Sequence, residues 1–360
     1  MLKRHSHRVY LLFALAFFVL CQSTVSDKPA PYQLKYDEQK FSKPEIPVDN
    51  SLTYEGIYLG RLLFYDSILS GNGKQACGSC HIQKFAFTDG KKLAVGSKGD
   101  TLTRNTLSLT NLAWGHFFFW DGRAKTLEQL VRDPVTNPKE LAQDTLVLIE
   151  KLNRHRYYPK LFSSAFPGEK ISMDNVSKAL AQFLRTITTK GIKLPDSVMY
   201  FTDTSGITEQ QKKNFLAVAK RENSFHGTLL RFSVMCNPCH SGVLYGNEHI
   251  ASNVVSPADT PMKAPSLINI TLTAPYMHDG RFASLEEVLV HYDQHITEFK
   301  KLNPTLLDSV PENLINDFDR KNINRFFAFL TDSSMLTNPD YSNPFADRNF
   351  SWDFVMPVKH

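Results

Sequence analysis

Two pentapeptides, Cys77-Gly78-Ser79-Cys80-His81 and Cys236-Asn237-Pro238-Cys239-His240, constrain this chain more than any other feature. Both read C-x-x-C-H, the attachment pattern of c-type haem. Two thiols about one helical turn apart reach the two vinyl groups of one porphyrin, and the next residue sets an imidazole beneath the iron as proximal ligand. Structural disulfides would leave His81 and His240 without a role, and a single zinc site would have to gather ligands 159 residues apart. Only Cys21 of the five cysteines lies outside the motifs, so the sequence implies two covalently bound c-type haems.

With 360 residues, 42% of them hydrophobic, the chain can bury two ordinary cores. Each motif follows a stretch of helical pattern, Tyr54 to Phe64 and Glu209 to Ala219, as suits a small cytochrome domain whose helix packs on the haem edge. Asn175 to Thr189 carries apolar residues at helical period and meets a stop signal at Lys190-Gly191. Ile192 to Thr208, with Pro195, Asp196 and Gly206, reads as a linker. The expected fold is mainly α, with two cytochrome c-like helical domains over residues 50–200 and 201–360, each holding one haem among long loops.

The basic start, Met1 to Arg8, precedes the apolar run Val9 to Leu20, the layout of an export signal and too short for a confident spanning helix. Cys21 follows directly and is a candidate lipid attachment point, although Leu20 is bulky where lipoprotein signals have a small residue. Residues 22–49, with four prolines, look like a polar tether. The expected location is the periplasm or exported cell envelope, with a membrane tether through the N-terminus. Net charge is +5, and Lys3, Arg4 and Arg8 account for three of it. The rest lacks the basic stripe of a nucleic-acid binder, and a mean hydropathy of -0.28 excludes a multi-span membrane protein.

Around the motifs, LGRLLFYDSILSGNGKQACGSCH, TRNTLSLTN, FFFWDGRAKTLEQL and DPVTNPKEL in the first half, and APSLINITLTAPYMHDGRFASLEEVLVHYD and FFAFLTD in the second, the chain resembles the di-haem bacterial cytochrome c peroxidase and MauG family. The resemblance spans roughly residues 50–345. It implies a peroxidatic N-terminal haem and an electron-transfer C-terminal haem. Glu140 matches the family's distal-pocket glutamate. A carboxylate over the open face of the iron can take the proton from the inner peroxide oxygen and deliver it to the departing one, whereas on residue type alone Glu140 would be a solvated acid after a proline turn. Trp120 matches the tryptophan between the two haems, a relay that is compatible with a packed core indole. Asn105, Thr273 and Pro275 match the family's calcium site, the first through its side chain or carbonyl and the other two through backbone oxygens, with waters completing a hard-cation shell.

Two departures bear on the branch. Typical peroxidases cap the resting N-terminal haem with a histidine about sixteen residues after the first motif, where this chain has Ser97, a poor iron ligand. The N-terminal haem is therefore expected to be open. Where those peroxidases supply methionine to the C-terminal haem, this chain has Tyr292, as MauG-type proteins do. Leu285, Val288, Leu289 and Tyr292 share one helical face, which would bring the phenol onto the porphyrin, and Met277 or His278 are the rival ligands. Leu130 stands where MauG has a distal glutamine, so the resemblance to that branch is not close.

The expected function is a peroxidase-type oxidoreductase that reduces hydrogen peroxide at the His81 haem and relays electrons through the His240 haem. Its electron donor would be a small c-type cytochrome, another redox protein or a protein substrate. The competing expectations are a di-haem electron carrier without turnover and a MauG-like oxidase of a protein side chain. An open iron beneath an acid is of no use to a carrier.

Overall fold

The computed structural model describes residues 28–193 and 208–352, apart from 222, 243, 247–249, 254–260, 305–309, 311–313 and 348. The export signal, Cys21 and most of the expected linker lie outside the described residues. Among the described residues helices dominate, and the strands are the two-residue pair β1 (Ile250–Ala251) and β2 (Met262–Lys263), joined antiparallel.

The first core forms around α1 (Tyr54–Tyr65) and α6 (Met173–Thr186), the most extensively packed helix pair. Thr53 starts α1 by accepting the Gly56 amide at 3.0 Å, and Ser172 starts α6 by accepting the Asn175 amide at 3.2 Å. The two axes approach closely because α1 presents glycines: a Cβ on Gly60 would lie 1.9 Å from the Ala179 carbonyl oxygen, and one on Gly56 2.2 Å from Gln182. Leu59, Leu62, Leu63, Phe64, Leu180 and Phe183 then fill the interior, closed on other sides by α3 (Leu127–Thr136), α4 (Thr145–Arg154) and α5 (Tyr158–Ala165). The four-residue helix α2 (Cys77–Cys80) carries the first haem-attachment motif.

Helix α6 ends at Thr186, four residues before the expected stop at Lys190. The reason is competition for the backbone. Asn111 donates its amide to Ile187 O at 2.8 Å and accepts the Thr189 amide on its side chain at 2.9 Å, which holds residues 187–189 out of the helix.

The second half contains α7 (Glu209–Arg221), α8 (Phe225–Met235), α9 (Leu285–Gln294), α10 (Ile296–Leu302) and α11 (Asp317–Phe329). Its core joins Leu229 and Phe232 of α8 to Ile323, Phe326 and Phe327 of α11. Across that contact, Asp319 is fully buried and accepts Thr228 Oγ1 at 2.6 Å and Arg231 Nε at 2.8 Å.

Two segments cross between the halves. Residues 28–49, expected as a tether, are packed instead: Phe41 is buried against Trp114, whose indole donates to Ser42 O at 2.7 Å, and Tyr32 donates its amide to Leu52 O at 2.8 Å. The prolines suit this extended path, and Tyr36 and Phe41 supply its apolar anchors. In the other direction, residues 333–352 return to the first core, where Met335 and Tyr341 are buried and Arg61 holds Ser342 O at 2.9 Å. Among the described residues no helix is long and apolar enough to cross a membrane.

Candidate active site

At the first motif, α2 is a single turn. His81 donates its amide to Cys77 O at 2.9 Å, so both thiols and the imidazole emerge from one tight corner. His81 Nδ1 lies 2.9 Å from Phe87 O, which fixes the ring and leaves Nε2 for a metal. Burial also lowers the imidazole pKa and keeps the ring neutral, the form that ligates iron. Burial pushes the Cys77 thiol up to about 12 and the Cys80 thiol up to about 11, so the pair is no reactive dithiol at neutral pH. Among the described residues no cysteine is in a disulfide, and the arrangement fits thioether attachment of haem.

Glu140 stands close enough to this motif for its charge to raise both thiols. A turn after α3 positions it: Asn137 O accepts the Glu140 amide at 3.0 Å, and Asn137 Nδ2 donates to Glu140 Oε1 at 2.9 Å. Burial raises its carboxyl pKa first, with Asp133 adding to the rise and the Asn137 bond opposing it. A carboxyl held above the ordinary glutamate range takes up a proton more readily than a solvated one. Ser97 donates its amide to Glu140 O at 2.8 Å, so the loop that carries the histidine in typical peroxidases sits directly against the glutamate. A Cβ on Gly96 would lie 1.8 Å from Lys139 O, which shows how tightly the two loops meet.

The second motif caps α8. Cys236 is the helix C-cap, and its carbonyl accepts the amides of Cys239 at 3.1 Å and His240 at 2.8 Å. His240 Nδ1 lies 3.0 Å from Pro265 O, the same arrangement as at His81. Cys236, Cys239 and His240 open onto a large, mainly apolar cavity that Phe232, Leu289, Ile296, Phe299 and Phe327 also line. This is a wall suited to a porphyrin. Tyr292 and Met277 both face it, whereas His278 does not line it. Arg104 Nη1 donates to His278 Nδ1 at 2.6 Å. Burial raises the Tyr292 phenol well above its ordinary value, so it stays protonated unless a cation binds it. Asn253 Nδ2 lies 3.6 Å from Met277 Sδ.

Trp120 lies on the wall of the same cavity, at the junction of the halves. Its indole donates to Asn105 O at 2.8 Å, its carbonyl accepts the Lys263 amide at 2.6 Å, and its ring meets His278 edge-on at 6.3 Å. Asn105, Thr273 and Pro275 all line this cavity. The Asn105 carbonyl already accepts Trp120, and its side-chain amide donates to Lys91 O at 2.9 Å.

Motif reading missed Arg104, His278 as a structural partner of Trp120, and Lys263. Lys263 is buried on the cavity wall with its amine lowered to about 8 by burial. Arg104 and His278 meet across 174 positions, and no local pattern signals such a pair.

The family model for di-haem cytochrome c peroxidase matches residues 54–198. Methylamine utilization protein MauG of Methylorubrum extorquens is 35% identical over 273 residues, covering 70% of this chain and 73% of that protein. Cytochrome c551 peroxidase of Nitrosomonas europaea is 28% identical over 250 residues, covering 64% and 70%. The crystal structure of a MauG-like protein associated with microbial copper homeostasis superposes with a TM-score of 0.68 at 25% identity, covering 87% of this chain and 99% of that one. With two haem-attachment corners, a half-buried glutamate beside the first and helical folds of this kind, the chain belongs to the di-haem cytochrome c peroxidase and MauG family, helical peroxidase-type oxidoreductases that carry two c-type haems.

Proposed function

We propose that hydrogen peroxide is reduced at the His81 site, with Glu140 as the acid-base group, and that electrons reach it from the His240 site past Trp120. The observation that carries this reading is Glu140: a half-buried carboxyl with a raised pKa beside the first motif, oriented by Asn137. Haem bound there would supply the iron that accepts the peroxide. The protein's part is to hold the imidazole of His81 in one tautomer, to keep Ser97 rather than a ligating histidine on the open side, and to move one proton between the two peroxide oxygens through Glu140. Asn105 and Lys263 fix Trp120 from both sides, which keeps the indole between the two sites.

Within this family the chain reads closer to the MauG-like branch, because Tyr292 faces the second haem cavity from α9. A phenolate on ferric iron is hard and anionic, so it would favour the oxidised metal and turn the second haem into a store for an oxidising equivalent. The reductant on this reading is an organic or protein side chain. Residues 1–20 support export to the periplasm or cell envelope, and Cys21 is the point where a lipid anchor would attach. Paramagnetic resonance of the resting ferric protein tests the reading: one high-spin and one low-spin haem are expected, and two low-spin haems would move the protein to the electron carriers.

A further inference from the structure

We infer that Tyr158 and the stacked pair Tyr157 and Trp352 form a hole-transfer chain from the first haem site to the protein surface, where a phenolic or indolic donor can be oxidised. The inference rests on peroxide reduction at the first site.

The chain starts at Tyr65, the last residue of α1. Its ring lies against the Cα of Gly78, between the two attachment cysteines, so closely that a Cβ there would meet it at 2.5 Å. The next residue, Asp66, accepts the phenolic proton donor of Tyr158 at 2.7 Å. Tyr158 is fully buried, and its ring meets Trp352 at 5.6 Å. Trp352 in turn stacks on Tyr157 at 5.3 Å with the planes only 7° apart, and both are half-buried. A buried aromatic cluster is commonly mere packing. Here the proton acceptors distinguish its members. Tyr65 donates to the backbone oxygen of Tyr341 at 2.6 Å, a negligible base, whereas Tyr158 donates to a carboxylate. Burial and Asp66 both hold the Tyr158 phenol well above its ordinary value, so Tyr158 loses an electron readily only if its proton leaves in the same event.

The step balances. Tyr158 gives one electron towards the first haem site and its proton to Asp66. It recovers the electron from the Tyr157 and Trp352 stack and the proton from Asp66, and the stack recovers its electron from the donor. Two such cycles, running beside the route past Trp120, supply two electrons that, with two protons, convert one peroxide to two waters. The surface end lies where the half-buried Tyr157, the residue before α5, meets the returning C-terminal segment at Trp352.

The test uses the holoprotein with both haems, mixed with hydrogen peroxide without any donor. Freeze-quenched paramagnetic resonance should show an organic radical, and peptide mapping should place oxidation at Trp352 and Tyr157. Tyr158→Phe and Trp352→Phe, which keep the ring packing, should each lower the radical several-fold and lengthen the lifetime of the peroxide-induced optical change. Asp66→Asn, which keeps an oxygen for the phenol but is no base, should do the same. A normal optical response with radical yield and oxidised peptides unchanged in all three variants overturns the chain alone. No optical response to peroxide in the unaltered protein would overturn the peroxidase reading, and this inference with it.

Discussion

Glu140→Gln isolates the proton transfer from everything else at the first site. The amide keeps the shape of the side chain and can still accept the Asn137 Nδ2 bond, so folding and haem attachment should be unaffected. What disappears is a group able to pick up a proton and return it, and losing a positioned acid-base group slows the reaction by about two to four orders of magnitude. Stopped-flow mixing with peroxide at neutral pH reads that rate directly. The surroundings also set the pH dependence. The ionised carboxylate is the form that receives the peroxide proton, so the rate should fall as pH drops through the Glu140 pKa. Burial raises that pKa, and the acid limb of the profile should lie above that of an ordinary glutamate. Asp133 contributes to the rise, and Asp133→Asn should therefore move the limb to lower pH without abolishing activity. Unchanged kinetics in Glu140→Gln would make the residue a surface acid, and an unmoved limb in Asp133→Asn would mean that the titrating group is another.

Three further outcomes are expected. Cys77→Ala combined with Cys80→Ala should leave one haem in the intact mass, and two haems would refute the attachment assignment. Tyr292→Phe should preserve both haems but convert the low-spin ferric signal of the second site, while Met277→Leu should leave it in place; the reverse pattern would return the protein to the methionine-ligated peroxidases. Asp319→Ala removes the carboxylate against which Arg231 is buried between α8 and α11, and the loss should be about 3 kcal/mol in a denaturant titration, whereas a change within error would mean that the pair is replaceable by packing.

The parts of the molecule that could be read along the chain are those whose chemistry is local. A C-x-x-C-H corner carries its own geometry, and the helices beginning at Tyr54, Glu209 and Leu285 follow from cap residues and apolar spacing over a dozen positions or fewer. The end of α6 was not legible, because the Asn111 side chain that competes for its backbone is 78 positions away from Thr189. Residues 28–49 misled for a similar reason. Proline and polar residues announce an extended path, but only the partner Trp114 shows that Phe41 is an anchor.

The same distinction separates Glu140 from the residues around Trp120. Asn137 orients Glu140 from three positions away, so the sequence motif contains both the acid and the donor that steers it. Trp120 is held by Asn105 and Lys263 from opposite halves of the chain, and its ring meets His278, which Arg104 fixes. A guanidinium has donors and no acceptor, so its bond to Nδ1 requires that nitrogen to be unprotonated and assigns the His278 proton to Nε2. The backbone of Asn105 links the two arrangements, since its amide donates to His278 O at 2.8 Å while its carbonyl accepts the Trp120 indole. One residue thus connects the tryptophan of the first half to the histidine of the second. Any shift between the halves must disturb the Asn105–His278 bond and the bond from the Lys263 amide to Trp120 O, which ties the position of the indole to the closure of the two cores on each other.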